Sequence, residues 1–404
     1  MRSVDPRAAL GLVLALLSGF LIGTAPTAAA VQTCPDQQAP PPPVDTSERP
    51  APGRPSPQPL PVPDQPVGGT RMAECGVIAP DSTNLPPDTT AASWVIQDLD
   101  TGAVLAAKNP HARERPASLI KTLLALVVIR ELQPSQVVVA TPEDASQECT
   151  CLGLVAGGSY TVDQLLHGLL MHSGNDVAHA LATALGGVPA AVQKMNALAA
   201  SLGATDTRAA TPSGLDGPGM STSAYDLSLV FHAAMREPEF AEVVRTKGFQ
   251  FPAQGGKPAF GVVNDNKLLG SYPGFLGGKT GFTDDARHTY VGGAAQGGKR
   301  VAVVMMRAEQ RPTLVVAQAA KLLDYGFQLA KAGLPSVGQL VEPAVSANAN
   351  NAAAPAGAAG SAPAAAHRDA FGVTGWVLTG VVALLILIGF VLQRRRRSHT
   401  SSAD

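Results

Sequence analysis

Three short strings in this sequence set a nucleophile, a base and anion-binding groups at spacings that permit chemistry. The first is Ser118-Leu119-Ile120-Lys121. On a helix, positions i and i+3 share a face, so the Lys121 ammonium can approach the Ser118 hydroxyl. A serine is a poor nucleophile until a base takes its proton. A lysine serves as that base only when burial or a nearby cation lowers its pKa, and the Leu, Ile and Val residues around Lys121 offer the burial. The helix N-terminus also brings backbone N–H groups toward the carbon that Ser118 would attack. The second string is Ser173-Gly174-Asn175, between two apolar helical patterns. Its hydroxyl could relay a proton between Lys121 and a leaving amine, and its amide could hold Lys121 and a substrate carbonyl. The third is Lys279-Thr280-Gly281, preceded by Gly277-Gly278. Gly281 lets a substrate backbone lie close to a strand edge. Lys279 supplies a second cation, which depresses the Lys121 pKa and attracts a carboxylate that Thr280 can hydrogen-bond.

Alone, each string has a plainer explanation: a capping serine beside a snorkelling lysine, a helix cap by Ser173 or Asn175, a solvated lysine beside a turn. Their occurrence together and in this order matches the signature set of penicillin-recognising serine enzymes. The flanking sequence resembles the D-alanyl-D-alanine carboxypeptidase family. The resemblance lies in Arg115-Pro116-Ala117-Ser118-Leu119-Ile120-Lys121 and in Leu165 to Asp176 around the second string. It continues in Thr211-Pro212-Ser213-Gly214-Leu215-Asp216, Ser221 to Asp226, and Gly277 to Thr283. It covers Ser93 to Phe327. It implies a β-lactamase/transpeptidase-like α+β fold and hydrolysis of the terminal D-Ala from peptidoglycan stem pentapeptides. It also implies β-lactams as covalent inhibitors and an oxyanion hole from the backbone N–H groups of Ser118 and Phe282. An arginine in the region of Arg307 and Arg311, here assigned to Arg311, would bind the substrate carboxylate. No cofactor and no metal are implied. His167, His172 and His179 cluster in sequence but lack a spacing such as His-Glu-x-x-His.

These residues need elements to position them. Ser93–Asp98 and Ala103–Ala107 flank Leu99-Asp100-Thr101-Gly102, the pattern of a hairpin. Ser118–Glu131 is apolar nearly all round, which predicts a buried central helix. Val137–Ala140 is a short β-branched run. Thr161–Met171, Asp176–Leu185 and Pro189–Leu202 predict three more helices, and Thr222–Met235 another, capped by Ser221 or Thr222. The chain returns to strands between Gly261 and Arg307, and Thr313–Lys331 closes the unit as an amphipathic helix. Strands at both ends with helices between them suggest one antiparallel sheet with a helical lobe. Asp216 and Asp226 read as cap and turn residues.

The rest of the chain places this unit. Arg2, Arg7, the apolar run Leu10 to Ile22 and Ala28-Ala29-Ala30 form a secretory signal over 1–30. Cys34 lacks the preceding small residues of a lipidation site. Residues 31–92 form a proline-rich arm, dense between Pro35 and Pro66, expected to be extended and without a packed core. The catalytic unit spans 93–340, and 341–372 is an Ala-rich stalk. Val373 to Leu392 carries no charge and is long enough for a transmembrane helix. Arg394 to Arg397 would hold the tail, 393–404, in the cytoplasm and leave the catalytic unit outside, anchored to the cell membrane. Four cysteines suit that oxidising side. Cys34 and Cys75 bracket the arm and are expected to be bridged, whereas Cys149 and Cys151 are open to several pairings. A net charge of −1 gives no electrostatic case for nucleic acid. A β-lactamase would share the fold, but no Glu-x-x-Leu-Asn string lies between Asn175 and Lys279. A non-catalytic β-lactam or cell-wall binding module would not need the nucleophile, base and oxyanion set.

Overall fold

The computed structural model describes residues 34–341, apart from 82, 85 and 149. The expected signal segment, the stalk beyond 341, the span 373–392, the basic tail and Cys149 lie outside the described residues. No helix among the described residues is long and apolar enough to cross a membrane.

Among the described residues, eleven strands occur in chain order: β1 Val77–Ile78, β2 Ser93–Asp98, β3 Ala103–Lys108, β4 Val137–Val139, β5 Ser159–Thr161, β6 Gly248–Phe251, β7 Phe260–Val263, β8 Phe275–Thr283, β9 Arg287–Gln296, β10 Lys299–Ala308 and β11 Gly338–Gln339. The main sheet has the order β1-β3-β2-β10-β9-β8, with β11 also on β3, and every pairing is antiparallel. Strand side chains alternate between two faces, and here both faces are buried. Trp94, Ile96, Val301, Val303 and Met305 pack under α9, Val315–Ala332. Val95, Ala302, Val304 and Met306 face the helical lobe.

That lobe is built on α1, Lys121–Glu131, which continues directly from a 3-10 turn at Ala117–Ile120. Every residue from Leu119 to Val128 is buried, as a helix apolar all round requires. The remaining helices are α2 Pro142–Ala145, α3 Val162–Met171, α4 Asn175–Ala184, α5 Val188–Ser201, α6 Ala224–Ala234, α7 Pro238–Arg245 and α8 Leu268–Ser271. Thr161 and Gln164 form a reciprocal capping box at the start of α3. α6 starts two residues later than the sequence pattern suggests, at Ala224 rather than Thr222, because Ser223, rather than Ser221 or Thr222, accepts the Asp226 N–H. The short helix α7 and the β6–β7 hairpin were not apparent in the sequence.

The folded body begins well before Ser93. Val77–Ile78 pairs with Lys108 and Ala107, and residues of the proline-rich arm lie against the body. Arg113, 1% exposed, donates to the carbonyls of Gln38 (2.7 Å), Leu60 (2.5 Å) and Pro61 (2.9 Å). Arg208 donates to Gln58 O at 2.9 Å. An extended polyproline-like backbone has no internal hydrogen bonds, so guanidinium groups of the body meet these carbonyls. Cys34 and Cys75 are bridged, and Cys151 is also disulfide-bonded.

The Cys34–Cys75 bridge spans a separation of 41 residues. Replacing both by serine should lower unfolding free energy by up to about 4 kcal/mol on loop-closure grounds and expose the arm to protease. Urea unfolding and limited proteolysis measure both effects. An unchanged midpoint with a resistant arm would show that the arginine contacts alone hold it.

Candidate active site

Ser118 stands in the 3-10 turn that feeds α1, one turn before Lys121. Ala117 just ahead of it has φ +46, a left-handed conformation that a residue with a Cβ adopts at a cost. Neighbouring backbone enforces it. Gly214 (φ +86) presses so closely on this turn that a Cβ there would lie 2.0 Å from Ala117 O. Gly281 on β8 is as tightly placed, since a Cβ would come within 2.9 Å of Ser118 N and 2.4 Å of Thr289 Oγ1. Thr289 Oγ1 in turn donates to Pro116 O at 2.9 Å and fastens β9 to the nucleophile turn. The glycine of the third string thus serves the close approach between strand and nucleophile.

Lys121 is fully buried. Its Nζ donates to Ser118 Oγ at 2.8 Å, to Asn175 Oδ1 at 2.7 Å and, at 3.4 Å, to Ser173 Oγ. Asn175 Nδ2 donates to Glu148 O at 2.7 Å, which fixes the amide with its oxygen toward Lys121. The Ser173-Gly174-Asn175 corner is itself constrained: Ser173 has φ +67, and Asn175 N donates to Thr150 O at 2.8 Å. Next to it, buried Asp176 accepts the backbone N–H groups of Leu152, Gly153 and Leu154 at 2.7–2.9 Å. That carboxylate orders the segment whose carbonyls, Glu148 and Thr150, hold Asn175.

Lys279 is buried on β8, and its Nζ donates to Thr280 O at 2.7 Å. Burial lowers its pKa to about 8 against the opposing pull of Asp265. Lys121 is lowered well below the ordinary lysine value, first by burial and then by the positive charge of Lys279, with Asp176 opposing. The positive charge of Lys279 is thus close enough to oppose a charge on Lys121.

Ser118, Asn175 and Phe282 line one cavity of about 360 Å³. Phe282 is 47% exposed, with its ring 4.6 Å from His288 and 5.5 Å from the Arg287 guanidinium. Thr280 and Gly281 are half-buried on the same strand. Arg311 is exposed, precedes a cis proline and takes no part in this hydrogen-bond network. Arg307 is occupied elsewhere, paired with Glu114 (3.0 Å) and Asp36 (2.9 Å). Neither arginine of the pair therefore joins the network around Lys121. The cavity also has walls that the motifs did not announce: Asp45 and Ser47 from the arm, Glu148 and Thr150, and Asp216, which reads from sequence as a turn residue.

The three histidines do not converge. His167 stacks on Phe249 at 4.0 Å, His172 faces Asp265 and His179 binds Asp144. Two other groups could offer three ligand atoms, His111/Asp206/Asp226 and Glu48/Asp216/Asp285. In the first, Asp206 is already paired with His111 and Arg113.

The sequence profile of the D-alanyl-D-alanine carboxypeptidase family matches residues 81–310. The chain belongs to that family. It is similar to the D-alanyl-D-alanine carboxypeptidase DacB2 of Mycobacterium tuberculosis, with 50% identity over 248 residues, 60% of this chain and 84% of the relative. Its fold is similar to a solved D-alanyl-D-alanine carboxypeptidase of M. tuberculosis (TM-score 0.62, 46% identity, 65% of this chain and 100% of that one). It is also similar to a mutant of the Streptomyces K15 DD-transpeptidase (TM-score 0.56, 27% identity, 60% and 99%). The α+β fold with its antiparallel sheet is thus that of penicillin-binding carboxypeptidases and transpeptidases.

With Lys121 as the base and Lys279 as the carboxylate-binding cation, opposite protonation needs would set a pH profile. Acylation requires neutral Lys121, so its rate should rise as pH passes the lowered Lys121 pKa. It also requires charged Lys279, so it should fall above about 8. Lys279→Arg keeps the cation at every pH and should remove the alkaline fall, whatever it does to the maximum. Penicillin acylation rates across the pH range test this; an alkaline limb unchanged in Lys279→Arg would remove Lys279 from the mechanism.

Proposed function

We propose that the protein is a serine-type carboxypeptidase that removes the terminal D-Ala of peptidoglycan stem pentapeptides through an acyl-enzyme on Ser118. The observation that carries the reading is a fully buried Lys121 Nζ 2.8 Å from Ser118 Oγ and 2.7 Å from Asn175 Oδ1. In the neutral form, Lys121 keeps two N–H bonds and a lone pair. One N–H stays on Asn175, and the lone pair takes the Ser118 proton as Oγ bonds to the scissile carbonyl carbon. The oxyanion so formed is held by the Ser118 and Phe282 N–H groups. When the C–N bond breaks, the proton passes from Lys121, by way of the Ser173 hydroxyl, to the leaving D-Ala nitrogen. A water then attacks the ester, Lys121 takes its proton, and Ser118 leaves with a proton regained. Lys279 and Thr280 receive the terminal carboxylate of the substrate, with Arg311 available from the exposed side. A β-lactam enters the same first step and remains as the acyl-enzyme.

The setting of this chemistry is part of the proposal. The signal over 1–30, the apolar span Val373 to Leu392 and the four arginines after it support a catalytic unit outside the cell membrane on a single C-terminal anchor.

Two measurements test these readings. Ser118→Ala should abolish both D-Ala release from a defined pentapeptide, read by mass spectrometry, and fluorescent penicillin labelling, with an unchanged melting temperature. Labelling that survives in the folded variant would reject Ser118 as nucleophile, and peptide products larger than the substrate would make transfer the main activity. Protease added to intact spheroplasts should remove residues 93–340 and spare the basic tail; full protection would reverse the orientation.

A further inference from the structure

The proline-rich arm does more than tether the catalytic unit. Two of its residues, Asp45 and Ser47, line the same cavity as Ser118, Asn175 and Phe282. The arm is fixed there by groups that lead directly into the nucleophile turn. Arg115, 2% exposed, donates to Pro41 O (2.7 Å) and forms a two-pronged ion pair with Glu48 (2.9 Å for the outer prong). From the other side, Val44 N donates to Asp285 Oδ1 at 2.5 Å. Residues 41–48 are thereby clamped at both edges, and Asp45 and Ser47 are held between the clamps.

The wall they make is acidic. Asp45, Glu148, Asp216 and Asp284 line the cavity, and no lysine or arginine among the described residues lines it with them. Asp45 is kept ionised by its hydrogen bonds with Ser47. Two further oxygens lack donors: Asp216 Oδ1, and Oδ2 of Asp285, a residue only 7% exposed, are buried without a hydrogen-bond partner. Oxygens of Asp216, Asp285 and Glu48 come within 4.8 Å of one another. Arg115 compensates part of this charge from behind, through Glu48. A buried carboxylate oxygen without a donor is costly, so Asp216, the one of the two that lines the cavity, suits a ligand that brings a positive charge and N–H donors.

We propose that Asp45 and Ser47 belong to the substrate-binding cleft, and that with Asp216 they form a subsite for a primary ammonium on a side chain of the peptide, upstream of the scissile bond. The inference rests on the carboxypeptidase reading and deepens it: Lys121 and Lys279 handle the terminal D-Ala, and the arm reads what precedes it. The chemistry that recognises the partner is charge pairing at an exposed carboxylate, Asp45, beside half-buried Asp216, together with three N–H donors. Arg115 and Asp285 are positioning residues, since they touch the arm rather than the peptide.

The test uses the full extracytoplasmic protein and two peptides ending in D-Ala-D-Ala, alike except that the preceding lysine carries a free or an acetylated ε-amine. Wild type should favour the free amine by about twofold to fivefold in kcat/KM, the scale of one solvent-screened charge pair, and chiefly through KM. Added salt should shrink the preference. Asp45→Asn should bring the ratio toward one, chiefly by raising KM for the free-amine peptide. As a check on positioning, Glu48→Gln should lose part of the preference and loosen the arm to protease. Equal turnover of both peptides by wild type would overturn the subsite and leave the carboxypeptidase standing, as would an undiminished preference in Asp45→Asn. Release of D-Ala from neither peptide would reject the carboxypeptidase reading itself.

Discussion

The structure depends on keeping an amine out of contact with bulk water. Lys121 has no exposed surface, yet each of its three possible N–H bonds has an oxygen to meet: Ser118, Asn175 and Ser173. Burial without those partners would be too costly; partners without burial would leave an ordinary ammonium with no affinity for a serine proton. The two requirements oppose each other, and the site is the arrangement that meets both. Lys279 adds to the strain on the charge of Lys121 without touching it, from a strand on the far side of Ser118.

Much of the surrounding fold can be understood as what holds those oxygens. α1 is apolar all round, so that its first turn can be driven into the interior. The antiparallel sheet brings β8 against the nucleophile turn, at a separation that only a glycine allows at 281. The left-handed conformations of Ala117 and Ser173 are local departures from what their sequences favour. Each is over-determined by neighbours: Gly214 and Thr289 on one side, the Asp176-ordered segment on the other. Strain of this kind concentrates at sites where a side chain must be aimed.

The legible part of the sequence was the part governed by local rules. Local patterns gave the β2–β3 hairpin, the all-apolar α1 and the amphipathic α9, and Lys121 Nζ lies within hydrogen-bond reach of Ser118, Ser173 and Asn175. Harder to read was anything decided by distant partners. The arm looked like an uncommitted polyproline stretch because its contacts are made by backbone carbonyls, which carry no sequence signature; their partners are Arg113, Arg115 and Arg208, ordinary surface residues by composition. Asp216 looked like a turn residue and lines the cavity. Arg307 looked available for a substrate carboxylate and is held by Glu114 and Asp36.

The central claim is the neutrality of Lys121, and it can be observed on the lysine itself. NMR of protein labelled at lysine side chains, with Lys121→Arg used to assign the resonance, follows its ionisation in the free enzyme. The account predicts that Lys121 titrates well below the ordinary lysine value, and that Lys279→Met moves its midpoint upward by removing the neighbouring charge. A Lys121 that remains an ammonium to the alkaline range of an exposed lysine, indifferent to Lys279, would contradict it.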